Sequence, residues 1–159
     1  RHADTGEPMP SDLLEKLLAA RRFQSGMFLV RQLEFALTDL RLHQEFDPDA
    51  HGQVARIVSE VRAEVAVVPY PRGNRFLNSF GHLFAGGYAA GYYSYLWAEQ
   101  LAADAFGRFQ EEGIFNAQTG DAFRREVLET GGSRAAMESF VAFRGREPSI
   151  EPLLASYGL

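Results

Sequence analysis

Residues 69 to 88 read PYPRGNRFLNSFGHLFAGGY, with two prolines and four glycines in one stretch. Proline removes a backbone donor and glycine frees the backbone, so no long helix can run through it. The segment is therefore read as one long ordered loop, and the rest of the chain must be built around it. Elsewhere the apolar residues recur at helical spacing, and no clear strand pattern appears. The expected fold class is all-α, a helical bundle with one Gly/Tyr-rich ordered loop.

Pro10-Ser11-Asp12 looks like a helix start, with Ser11 as cap and Asp12 and Glu15 in the first turn. It predicts a short helix over 11–20. A longer one is predicted over 24–44, where Leu29, Leu33, Ala36, Leu37 and Leu40 form a stripe. Phe28, Phe35 and Leu42 form a second line beside it. Two lines imply a helix covered on more than one side, by more mass than this chain supplies. Further helices are expected from His51 to Val67, from Ala89 to Glu112 and from Asp121 to Thr130. Gly131-Gly132-Ser133 breaks the chain and caps one over 134–143, and a last one runs from Ser149 to Tyr157, ended by Gly158.

The apolar content of 46% is enough for a core, and the net charge of −5 argues against nucleic acid as a partner. With no cysteine, disulfides and thiolate metal sites are excluded, which fits a reducing, cytoplasmic setting. No apolar run approaches the roughly 18 residues of a membrane span, so no membrane partner is expected. The chain opens on polar RHADTGEPMP, with neither a leader pattern nor a methionine. Arg1 is therefore expected not to be a native start.

After the loop the sequence continues GGYAAGYYSYLW. On a helix Tyr88, Tyr92 and Tyr95 share one face at i, i+4 and i+7. His82 lies just before them, and Gly86-Gly87 lets the backbone approach a ligand and move. Two readings stand on the residues alone. Aromatics at helical spacing are commonly core. But a buried phenol needs a hydrogen-bond partner that leucine would not, and a row of phenols beside a mobile turn suits an extended peptide. One of those hydroxyls could stabilise a developing oxyanion.

The stretch FGHLFAGGYAAGYYSYLWAE resembles the C-terminal signature of the thimet oligopeptidase and oligopeptidase A family of zinc metallopeptidases. TGEPMPSDLLEKLLAARRFQSGMFLVRQLEFALTDLRLH resembles the segment that follows that family's metal site. AADAFGRFQEEGIFN, the ETGGS turn and FRGREPSIEPLL fit as well. The resemblance covers essentially the whole chain and is nearest to the bacterial oligopeptidase A branch. It implies an enzyme in which an HExxH helix and a later glutamate hold zinc, and the zinc and a base glutamate activate water against the scissile carbonyl. It implies Tyr95 as the oxyanion stabiliser, with His82 in the catalytic set and, together with Tyr88, binding the peptide backbone near the cleaved bond. Tyr88, Tyr92, Gly86 and Gly87 would bind the oligopeptide substrate.

The chain has no HExxH: its histidines are His2, His43, His51 and His82, none paired at i, i+4. On the resemblance, residues 1–159 are the C-terminal helical part of the catalytic region. The zinc ligands lie upstream, no zinc is held here, and the piece alone is expected to be inactive. Its partner is then the N-terminal remainder of the enzyme. Where that packed, apolar surface should be exposed, and two copies could pair through it in a non-native dimer. The alternative is a non-catalytic helical peptide-binding module. Other features read as scaffold. Asp121, Glu126 and Glu129 look like a solvated face. Arg144-Gly145-Arg146 looks like surface charge, or salt bridges to neighbouring parts of a larger protein, that helps hold the last helix, and Trp97 looks like core.

Overall fold

A computed structural model describes residues 1–159. The chain is all-α, as its periodicity predicts. The helices are α1 (Ser11–Arg22), α2 (Ser25–Glu45), α3 (Gln53–Val65), the single turn α4 (Phe76–Ser79), α5 (Ser94–Glu112), α6 (Ala117–Phe123), α7 (Ala136–Arg144) and α8 (Glu151–Tyr157). A 3-10 turn at Gly81–Leu83 follows α4, and a π turn at Arg124–Leu128 extends α6.

Two packing units result. In the first, α3 lies on α2, with Ile57 and Val61 fully buried. In the second, α5 carries α6, α7 and α8. Phe109, Phe123 and Phe143 meet there with ring centroids 5.2 to 5.9 Å apart, a spacing at which edge and face quadrupoles attract.

A buried carboxylate ties the second unit together. Asp104 on α5 is inaccessible to solvent. It accepts from Arg144 Nε at 3.0 Å, from Arg146 at 2.7 and 2.5 Å, and from the Ser149 amide at 2.8 Å. Burial alone would push its carboxyl up. The bonds from Arg146, the Ser149 amide and Arg144 outweigh that and hold it below the usual range. Arg144 is thus not surface charge, and Arg146, though 43% exposed, is tied to the same carboxylate. They hold the chain entering α8, and Arg144 reaches Glu111 as well.

Several sequence expectations need correction. Pro10, not Ser11, occupies the N-cap of α1, and no side chain caps it. Ser133 caps no helix: its hydroxyl donates to Thr130 O at 2.7 Å, and Ala135 is the N-cap of α7. Trp97 is 56% exposed and packs edge-on against Tyr93 rather than in a core. Asp121, Glu126 and Glu129 are solvated as expected, but they pair with Arg124, Arg125 and Arg134. The helix expected from Ala89 starts at Ser94. Ala90 takes a left-handed φ of +56°, and the Gly91 amide closes a turn onto Tyr88 O at 2.9 Å. A helix cannot run through a left-handed residue.

Only 14 of 159 residues are buried, few for a domain of this size. No residue of α1 is buried, and Leu13, Leu14, Leu17 and Leu18 lie open along it. No helix is long and apolar enough to cross a membrane.

Candidate functional site

The loop folds back over α2, and a chain of aromatic rings holds it there. Phe35 on α2 stacks on Phe76 at 4.6 Å and meets Phe80 and Tyr92 at 5.5 Å each. Phe80 in turn touches His82 at 5.6 Å. The entrance to the loop is fixed by a polar knot. The Tyr70 hydroxyl donates to Glu34 at 2.7 Å and accepts from Arg31, while Arg62 reaches Glu34 at 2.6 Å and lies 3.3 Å over the Tyr70 ring. Burial would raise the Glu34 carboxyl, but Tyr70, Arg62 and Arg31 together hold it below its usual range. The same burial, with Glu34 beside it, pushes the Tyr70 phenol up.

The candidate residues come together, though not as one helical face. Tyr88 and Tyr92 stand in turns, and Tyr95 alone lies on α5. The rings surround His82 instead, with Tyr92 at 5.0 Å, Tyr88 at 5.5 Å and Tyr95 at 5.7 Å. His82 Nε2 and the Tyr95 hydroxyl are hydrogen-bonded at 3.2 Å. Tyr88 and Tyr95 are stacked at 6.4 Å and each about half exposed (49% and 48%), so both hydroxyl-bearing rings face solvent beside one imidazole. Tyr92 differs. Its hydroxyl donates to Gln32 Oε1 at 2.8 Å, and burial, with Tyr95 nearby, pushes its phenol up.

The glycines have separate tasks. Gly86 and Gly87 both take positive φ, +78° and +74°. A Cβ on Gly86 would come within 2.9 Å of the Tyr88 ring, so Gly86 leaves that ring its seat. On Gly91 a Cβ would stand 3.1 Å from Tyr88 O, so Gly91 permits the tight turn.

Sequence reasoning missed the residues beneath the loop. Asp39 and Gln32 on α2 contact it directly, and both had been passed over between the apolar lines. A helix covered on several sides must satisfy every polar group it buries, and the Thr38-Asp39 pair inside the apolar pattern carried that signal. The chemistry of the donor set is equally plain. One imidazole and three phenols, with no carboxylate among them, do not fit a zinc site. Nowhere in the chain do three His, Asp or Glu side chains gather as a metal group.

The chain belongs to peptidase family M3, whose family model matches residues 1–159. It is 54% identical over 158 residues to oligopeptidase A of Escherichia coli, covering 99% of this chain and 23% of that protein. Its identity to the organellar oligopeptidase A of Arabidopsis thaliana is 48%, over 100% of this chain and 21% of the relative. To the dipeptidyl carboxypeptidase of Salmonella typhimurium it is 38%, over 100% and 24%. The chain thus spans about a quarter of the length of these relatives.

Proposed function

We propose that residues 1–159 are the substrate-gripping part of a zinc-dependent oligopeptidase and that the remainder of the polypeptide supplies the metal ligands. The observation that carries this is the meeting of His82, Tyr88 and Tyr95 at one solvent-facing point. Zinc, held by the remainder of the polypeptide, would supply an activated water and polarise the scissile carbonyl. The residues here bind and orient. The Tyr95 hydroxyl donates to the oxyanion of the tetrahedral intermediate, and His82, hydrogen-bonded to it, fixes its direction. Tyr88, on the Gly86-Gly87 turn, closes over the peptide backbone. Tyr92 contributes its ring, since its hydroxyl is already committed to Gln32.

Exposed surface supports a larger body around this segment. A compact monomer of 17.7 kDa exposes about 7,900 Å² by the scaling of folded proteins, against 11132 Å² here. An excess of about 3,200 Å² is roughly four times one partner's share of a standard interface. The intended occupant is the rest of the peptidase chain, which faces the open leucines of α1 and the apolar groove between Phe23, Met27, Phe28 and Val67–Pro71.

The test is Tyr95→Phe in the full-length protein, followed with a quenched fluorogenic oligopeptide. Loss of one oxyanion donor should lower kcat by about a hundredfold with KM little changed. Unchanged kcat would refute the role of Tyr95.

A further inference from the structure

Three side chains on one face of α2 grip the loop: Gln32, Phe35 and Asp39, at i, i+3 and i+7. Gln32 takes the Tyr92 hydroxyl and Phe35 meets the Tyr92 ring. Asp39 takes the backbone. Its two carboxylate oxygens accept from the amides of Ala90 and Tyr92, each at 2.9 Å. His43 Nδ1 closes the remaining side, 3.2 Å from Oδ1 and 2.7 Å from the Asp39 carbonyl. The carboxylate is inaccessible to solvent.

The loop is shaped for that anion. Ala90, left-handed at φ +56°, turns its own amide and that of Tyr92 toward the same point. Successive amides converging in this way form a nest for an anion, and here a side chain of α2 fills it. The positions on either side are unequal. Residues 90 and 92 are bolted to α2. In the 86–87 turn a Cβ on Gly87 would meet nothing within 4 Å.

We propose that Asp39 is a positioning residue, the post that fixes the root of the loop and sets the distance between Tyr95 and His82. Motion at Gly86-Gly87 then moves Tyr88 across a stationary Tyr92–Tyr95 pair. Without the post, the first turn of α5 and its tyrosine lose their register against α2. This rests on the proposed function only for its consequence in kcat. The mechanical part stands on the two amides.

The test compares Asp39→Asn with Asp104→Asn in the full-length protein. Asp104 is equally buried but serves the α8 side, so it reports general structural damage. By residue-resolved hydrogen exchange, Asp39→Asn should speed the amides of 90 and 92 by about tenfold or more, the loss of a charge-assisted bond. It should lower kcat about tenfold with KM within about threefold. Asp104→Asn should leave both readings at wild-type values. Unchanged exchange in Asp39→Asn, or equal effects of the two variants, would overturn the proposal. So would faster exchange with an unaltered kcat, in a protein where Tyr95→Phe is impaired. If Tyr95→Phe itself is fully active, the functional reading fails, while exchange still decides whether Asp39 is the post. Should Asp39→Asn not fold, the wild type decides: its amides at 90 and 92 must exchange at least about tenfold more slowly than those at 86 and 87. Equal rates would refute it.

Discussion

Replacing Asp104 with asparagine removes one charge from the junction of α5, α7 and α8. Four donor contacts converge on this carboxylate, at 3.0, 2.7, 2.5 and 2.8 Å. Breaking a buried pair by deleting one partner costs about 3–5 kcal/mol. Arg146 is 43% exposed and can turn to water, whereas Arg144, at 9%, keeps only Glu111. A cost near the lower bound, about 3 kcal/mol, is therefore expected. It falls on local opening of residues 144–157, so their amides should exchange about a hundredfold faster in the full-length protein. The control is Glu111→Gln. Its side chain is 58% exposed, and exposed pairs contribute only about 0–1 kcal/mol. The Asp104 carboxyl is held below its ordinary value when folded, so its stabilisation is complete above the unfolded carboxylate range. That stabilisation is lost as pH falls through the lower folded value. Wild-type exchange in this segment should accelerate in acid, and Asp104→Asn should flatten that limb. An exchange change within about twofold at neutral pH would refute the view that this carboxylate anchors α8.

Other outcomes follow from single contacts. Gly86→Ala must force φ +78° on an L-residue and drive a Cβ to 2.9 Å from the Tyr88 ring. Gly87→Ala meets only the backbone strain of φ +74°, about 1–2 kcal/mol, so KM for a fluorogenic peptide should rise more in the first variant. Tyr157 donates to Glu99 at 2.8 Å, and burial, reinforced by Glu99, pushes its phenol up to about 12. Ultraviolet titration should show a phenol ionising there that Tyr157→Phe abolishes, and a spectrum unaltered by the substitution would count against the contact. Residues 1–159 alone should not cleave the fluorogenic peptide and should self-associate as concentration rises in sedimentation. A clean monomer with peptidase activity would reverse both expectations.

Much of the fold was legible because it rests on local signals. Apolar spacing located α2 and α5, Pro69 and Pro71 marked the end of α3's unit, and Gly158 marked the end of α8. The start of α5 was not legible. AAGYYSY holds no proline to stop a helix, and the left-handed turn at Ala90 is secured by Asp39, 51 residues away, which receives its amide. Tyr88, Tyr92 and Tyr95 were grouped for a helical face, but the loop gathers them around His82 by a different route. The role of Arg144 was hidden for the same reason: its partner Asp104 stands 40 residues earlier. Trp97 and the α1 leucines follow ordinary core patterning, yet nothing in this chain covers them.

The span between Asp39 and the amides it holds sets an order of events during synthesis. Helices α2 and α3 are joined by a short connection and can pair as soon as both are made. The nest at 90–92 arrives 51 to 53 residues after Asp39, a delay of about 3 to 10 seconds at ordinary elongation rates. Through that interval the acceptor has His43, on its own helix, as its neighbour. The loop therefore closes onto a helix pair that can form before it.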